Sequence, residues 1–388
     1  MFISAALSLA ATASFALGAA AANLVPGKAF DRMAIIYLEN TDYDKAYGDS
    51  SMKWLRKKGI TLSNFYATTH PSMPNYMASI AGDYFGMDDD TDGLIAPANV
   101  ATVIDLLESK NISWAHYEED MPFTGFTGDE FNGKKGRNMY VRKHNPAVLH
   151  KSVTESPDRL AQVKNLSMTD THRSEFHKDL QANTLPQWMF ITPNMTSDGH
   201  DSDMKTAGKW TRNFLEPLLA NPNFTKNTLI LVTFDETDAY EIKNQVLAVL
   251  VGDAIPAELV GTTDSNFYNH YSGISTVSAN WDLPTLGRWD VGANVFGLVG
   301  AKTGDKIRGW DKTDFKSYNW NGSYGGYLST HPKGKKIPKP NLSLDKPANG
   351  RPILQSIKDT WANSDAPTYY EDSIKVADYR HPPAGYKP

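Results

Sequence analysis

The run Thr228-Leu229-Ile230-Leu231-Val232-Thr233-Phe234-Asp235-Glu236 sets a mostly apolar segment directly ahead of two carboxylates. With no polar alternation along it, the run reads as a strand buried on both faces, as in a parallel sheet covered by helices. Met33-Ala34-Ile35-Ile36-Tyr37-Leu38, Trp188-Met189-Phe190-Ile191 and Val246-Leu247-Ala248-Val249-Leu250-Val251 read the same way. Helical spacing fills the gaps. Residues 99–110 put Val103, Ile104 and Leu107 on one face, Ser156-Pro157-Asp158 is a helix start, and Trp210, Phe214 and Leu218 recur at helical intervals. Strands alternating with helices predict an α/β fold, a three-layer α/β/α sandwich with a mostly parallel central sheet.

In open parallel sheets ligands bind beyond the carboxyl ends of the strands. Three of the runs end there on polar residues: Glu39-Asn40, the stretch from Asn194 to Asp201, and Asp235-Glu236. Glu39, Asn40, Asp235 and Glu236 are hard oxygen donors of the kind that hold a divalent cation. The octet Thr69-His70-Pro71-Ser72-Met73-Pro74-Asn75-Tyr76 lies between an extended segment, residues 62–67, and a short helical one closed by Gly82. Ser72 therefore falls at or just before a helix N-terminus, where unpaired N–H groups favour an oxyanion. The plainer alternative is a serine that only caps the helix. Taken with the two acidic pairs, Ser72 predicts one metal site, in which a cation lowers the hydroxyl pKa and offsets phosphoryl charge.

Asp198-Gly199-His200-Asp201 and Asn269-His270-Tyr271-Ser272 place two histidines in polar loops. They are candidates for a second cation site or for the general acid that protonates an alkoxide leaving group. Arg142-Lys143-His144 is a cationic run suited to steering a phosphate monoester, or simply a solvated one.

The 388-residue chain has a net charge of −5, no cysteine and no basic stripe. It is therefore no disulfide scaffold, and nucleic acid is not its expected partner. Residues 1–22 are apolar, free of charged side chains and end in Ala-x-Ala options, which predicts a cleaved secretory signal. No later stretch is long and apolar enough to span a bilayer. An exported protein of the extracellular space or cell wall is expected. Sequons at Asn111, Asn165, Asn194, Asn223, Asn321 and Asn341 fit a secreted glycoprotein. Residues 23–310 are expected to form the catalytic domain, with an aperiodic insertion or lid at 123–149 and a peripheral appendage at 311–388. Walker loops, Gly-x-Ser-x-Gly elbows, Cys/His zinc patterns and dinucleotide fingerprints do not occur, which sets aside kinases, α/β-hydrolases and Rossmann dehydrogenases.

Five motifs follow the leader in order: Tyr37-Leu38-Glu39-Asn40, His70-Pro71-Ser72-Met73-Pro74-Asn75-Tyr76, Pro193-Asn194 with Asp198-Gly199-His200-Asp201, Phe234-Asp235-Glu236, and Asn269-His270-Tyr271-Ser272. Together they resemble the phosphoesterase family of secreted acid phosphatases and bacterial phospholipases C, most of all its fungal phosphate-repressible acid phosphatases. That family is similar to the alkaline phosphatase superfamily, whose fold the resemblance implies. It also implies Ser72 as the nucleophile that forms a phosphoseryl intermediate, and Asn75 as a hydrogen-bond donor to a phosphoryl oxygen. Glu39, Asp235 and Glu236 would hold a metal beside Ser72, with Asn40 as ligand or phosphate contact. His144, Asn194 and Asp201 complete the expected substrate contacts.

The chain departs from the wider superfamily in its metal motifs. The usual Asp-x-x-x-His appears as Asn194-x-x-x-Asp198, and an Asp-His pair as Asp235-Glu236. One divalent cation bound by oxygen ligands is therefore expected, a second is left open, and His200 and His270 are expected to face the leaving group or the transferred phosphoryl group. Asn194, if it faces substrate, carries no glycan. The implied function is hydrolysis of small phosphate monoesters, with an acidic optimum implied by the resemblance alone. Two rival readings remain: a phospholipase C or phosphodiesterase of the same family, and a surface-binding protein that has lost catalysis.

Overall fold

The structure, a computed structural model, describes residues 24–133, 136–309, 325–330, 336–345, 349–372 and 374. The predicted leader and the sequon at Asn321 lie outside these residues. Strands occur at β1 (Arg32–Leu38), β2 (Ile60–Leu62), β3 (Phe65–Tyr66), β4 (Trp114–Glu119), β5 (Glu130–Asn132), β6 (Asn138–Val141), β7 (Val163–Leu166), β8 (Trp188–Thr192), β9 (Thr228–Phe234), β10 (Ala248–Val251), β11 (Thr263–Asp264) and β12 (Tyr268–Asn269). Eight of them build one sheet in the order β11-β2-β10-β9-β1-β8-β4-β7, while β3 with β12 and β5 with β6 form two-stranded ribbons.

Buried on both faces, β1, β8 and β9 have no polar side to show, which is why their sequences run apolar without alternation. β1 pairs in parallel with β9 from Arg32↔Thr228 to Leu38↔Phe234, and in parallel with β8 on its other side. That register brings Glu39 and Asp235 out of the sheet side by side, where the Asp235 N–H donates to the Leu38 carbonyl at 3.0 Å.

Adjacent residues of β4 show the layering, since neighbours in a strand point to opposite faces. His116 stacks on Phe190, which also meets Tyr37 and Tyr76 and so faces the Ser72–Ala81 helix. Tyr117 points the other way, edge-on to Phe176 in the Glu175–Ala182 helix, and Phe176 in turn meets Phe214 of the Met204–Leu218 helix. Helices thus cover both faces of a mostly parallel sheet. Among the described residues no helix is long and apolar enough to cross a membrane.

The structure departs from the sequence reading in four places. The Val246–Val251 run contributes β10, which is antiparallel to both β9 and β2. β4 and β7 escaped the reading for opposite reasons: β4 buries His116, Glu118 and Glu119, so its sequence looks polar, whereas β7 is the sheet's edge and half-buries Lys164 and Asn165. The insertion at 123–149 holds the β5–β6 ribbon and two short 3-10 turns, Arg142–His144 and Pro146–Leu149. Lastly, the described parts of the expected C-terminal appendage are not peripheral: Leu328, Ile337, Ile353, Ile357, Trp361 and Tyr370 are core residues. Single apolar residues scattered among Pro, Gly and Lys give no periodicity, which hid their burial.

Candidate active site

Ser72 is the first residue of the Ser72–Ala81 helix, every side chain of which is buried. Gly82 closes that helix with a left-handed φ of 72°, a conformation that a side chain resists. Pro71 occupies the cap position and provides no side-chain cap, so the reading of Ser72 as a capping serine does not hold. The hydroxyl points instead into a cluster of acids. Ser72 Oγ lies 3.2 Å from each of Glu39 Oε2, Asn40 Oδ1 and Glu236 Oε1. It has one proton for three acceptors, so two of them must look elsewhere. Asn40 Nδ2 donates to Glu236 Oε1 at 3.1 Å and ties the ends of β1 and β9 together.

Two residues that sequence reasoning passed over complete the cluster. Tyr76, one helical turn below Ser72, donates its phenol to Glu39 Oε1 at 2.5 Å. His70 sets its Nδ1 against Glu236 Oε2. Both stand within the octet that drew attention to Ser72; the i, i+4 spacing of Ser72 and Tyr76 was the available sign. From the insertion, His144 is delivered with Nε2 3.2 Å from Glu39 Oε2 and its ring stacked on Tyr76. Its neighbour Lys143 pairs with Asp90 at 2.8 Å, and Asp90 also accepts from the Met73 N–H at 2.8 Å. His200 stands at the mouth, 43 % exposed, with Nδ1 4.0 Å from Glu39 Oε2.

Other expected site residues are placed differently. Asn75 cannot donate to a phosphoryl oxygen as it stands: its Oδ1 accepts from the Thr68 and Thr69 N–H groups and its Nδ2 donates to the Thr69 and Pro71 carbonyls. It braces the turn that leads into Ser72. His270 is likewise spent on support. Its Nε2 donates to the Asp235 carbonyl at 2.6 Å, so Nδ1 accepts from the Tyr37 hydroxyl at 2.8 Å. Burial pushes its pKa down to about 4, which keeps the ring neutral beneath Asp235 and away from a leaving group. Asn194 donates to Asp120 at 2.7 Å and accepts from Thr196 at 2.9 Å, turned from the cluster. Asp201 lies exposed on the loop, and no contact brings it to Ser72.

Electrostatics sharpen the picture. Burial first, then the charges of Glu39 and Glu236, raise Asp235 well above the carboxylate range. Burial followed by Glu39 and Asp90 does the same to Glu236. Asp198 is pushed up to about 9 by burial and by Glu39. Burial acts to raise Glu39 as well, but the charge and hydrogen bond of His144, the Tyr76 hydrogen bond and Lys143 outweigh it and bring Glu39 down to about 2. Within the cluster the ionised form is thus favoured at Glu39 and disfavoured at Asp235, Glu236 and Asp198.

The donor chemistry fits a divalent cation. Both Asp235 carboxyl oxygens and Asp198 Oδ2 are buried with no hydrogen-bond partner, a costly state that a hard cation would relieve. Among the described residues no three His, Asp or Glu side chains already stand in a metal-ligand arrangement, so side chains would have to turn toward the ion.

Known proteins share this sequence pattern. Residues 49–284 match the Phosphoesterase family. A probable acid phosphatase of Kluyveromyces lactis is 49% identical over 338 residues, 87% of this chain and 77% of that protein. The phosphate-repressible acid phosphatase of Penicillium chrysogenum is 47% identical over 345 residues, 89% of this chain and 80% of that one. Among solved structures, a protein in the alkaline phosphatase superfamily from Vibrio parahaemolyticus superposes with a TM-score of 0.40 at 11% identity, over 65% of this chain and 67% of that chain.

Proposed function

The chain belongs to the Phosphoesterase family, and from that premise we propose that it is an acid phosphatase, hydrolysing small phosphate monoesters by double displacement through Ser72. The observation that carries this reading is the Ser72 hydroxyl at the head of a buried helix, 3.2 Å from Glu39, Asn40 and Glu236.

In the first half-reaction Ser72 Oγ attacks phosphorus and loses its proton to Glu39, the ionised carboxylate beside it, while the ester oxygen departs. We assign the proton for that oxygen to His200, a reading supported by its exposure and by its nearness to Glu39. In the second half water attacks the phosphoserine, Ser72 regains its proton and phosphate leaves. Lys143 and His144, beside Ser72, are the proposed contacts for the phosphoryl oxygens. A divalent cation held by Asp235, Glu236, Glu39 and Asn40 would supply the positive charge that favours the Ser72 alkoxide and a charged phosphoryl group. The leader-like residues 1–22 support a secreted enzyme. Asn111, exposed on its turn, is the favoured glycan acceptor, since Asn194 is buried against Asp120.

Hydrolysis of p-nitrophenyl phosphate between pH 4 and 8 tests the reading in wild type and Ser72→Ala, each with and without chelator. The expected result is a loss of roughly 10^3-fold or more in kcat for a folded Ser72→Ala protein. Acid quenching of wild type during turnover is expected to trap phosphate on the peptide that contains Ser72. Full activity in Ser72→Ala would overturn the nucleophile assignment.

A further inference from the structure

We propose that Tyr240 is the platform on which the leaving group rests, and that this site therefore favours aryl over small aliphatic phosphate monoesters. The inference rests on the phosphatase reading and names its substrate class. Tyr240 stands four residues beyond Glu236 in the loop after β9. Its ring lies 4.0 Å from that of His70 with an interplanar angle of 28°, and His70 in turn sets Nδ1 against Glu236. His70 is completely buried, whereas Tyr240 is 37 % exposed. One face of the phenol is thus fixed on the site wall and the remainder is open.

The loop that carries it is built, not loose. Asn244 Oδ1 accepts from the Thr237 N–H at 2.9 Å, and Asn244 Nδ2 donates to the Thr69 carbonyl at 2.7 Å, next to His70. The Ala239 N–H donates to Asp42 Oδ1 at 2.9 Å. Tyr240 is therefore held in register with the octet that bears the nucleophile. Burial, followed by the charges of Glu236, Asp90, Asp235 and Glu39, raises its phenol pKa, so the hydroxyl stays protonated. A rigid aromatic wall beside a phosphoryl site is suited to a planar group attached to the ester oxygen, through offset or edge-on ring contact.

The test compares kcat/KM for p-nitrophenyl phosphate and glycerol 2-phosphate in wild type, Tyr240→Phe and Tyr240→Leu. Tyr240→Leu is expected to lower the aryl-to-aliphatic ratio about 3- to 10-fold, the range aromatic contacts support, mainly through KM of the aryl ester. Tyr240→Phe is expected to keep the ratio within about twofold. Because Tyr240→Leu also uncovers His70, a measurement on unaltered enzyme accompanies it: phenylphosphonate should inhibit wild type about 3- to 10-fold more tightly than methylphosphonate. An unchanged ratio, a parallel fall for both esters, or equal inhibition by the two phosphonates would reduce Tyr240 to a cover over His70. Wild-type enzyme inert toward both esters would instead sink the phosphatase reading, and the platform with it.

Discussion

The two ends of the Ser72–Ala81 helix bury acids in opposite ways. At its start, Asp235 keeps both carboxyl oxygens without a hydrogen-bond partner, and the charges of Glu39 and Glu236 act on it. Just past its end, Asp83 accepts from the Tyr84 N–H at 2.8 Å and from the phenols of Tyr369 and Tyr370 at 2.5 and 2.6 Å. Arg288 stands close by, bonded to Tyr370 and to the Pro338 carbonyl. Equal burial therefore says little by itself. A satisfied carboxylate is part of the scaffold, and an unsatisfied one in company is where a ligand or a reaction is owed its place.

The contrast can be broken by substituting at each end. Asp235→Asn is expected to cut kcat roughly 10^2- to 10^4-fold, the scale of lost electrostatic and acid–base contributions, while leaving thermal stability unchanged or raised. The midpoint is held because the uncharged amide matches the protonated carboxyl that this buried site favours, and it rises at high pH, where the amide avoids a charge that is costly to bury. Loss of folding together with activity would make Asp235 structural and erase the difference between the ends. At the other end, Tyr370→Phe is expected to cost about 1–3 kcal/mol of stability in denaturant titration, because Asp83 loses a buried donor. Its kcat should stay within a few-fold of wild type. A collapse of kcat in a stable Tyr370→Phe protein would show that the far end of the helix tunes the nucleophile.

pH provides a gentler probe. Asp198, Asp235 and Glu236 have folded pKa values raised above those of the unfolded chain, so the native state binds more protons and stability falls as pH rises. For Asp198 the window runs from the ordinary carboxylate value near 4 to about 9. In chelator, the thermal midpoint should fall across this window by roughly 2–4 °C per kcal/mol lost. Adding a divalent cation should flatten the slope, since bound charge replaces bound protons. An identical slope with and without the cation would argue that these acids hold protons as their working state.

Much of the functional end was legible in the sequence because strand ends and a helix start announce themselves locally. The runs before Glu39 and Asp235 mark buried parallel strands, and Gly82 marks where the Ser72 helix stops. What stayed hidden depended on partners distant in sequence. Asn75 and His270 have the right chemistry to touch a phosphate, yet they are consumed by Thr68–Pro71 backbone groups and by Tyr37 with Asp235. His70 and Tyr76 acquire roles only once Glu236 and Glu39 arrive beside them. β4 disguises itself with His116, Glu118 and Glu119, polar residues that the sheet buries all the same.

The clasp on Asp83 also has a consequence for the order of events at the ribosome. Tyr370 lies 287 positions after the acid it binds. At synthesis rates of about 5–20 residues per second, Asp83 is made roughly 15–60 s before its partner exists. During that interval the helix bearing Ser72 has its acidic start and an unclasped end, so Asp83 lacks this donor until Tyr370 has been translated. The clasp that steadies the far end of this helix is thus closed long after Glu236 has completed the cluster around Ser72.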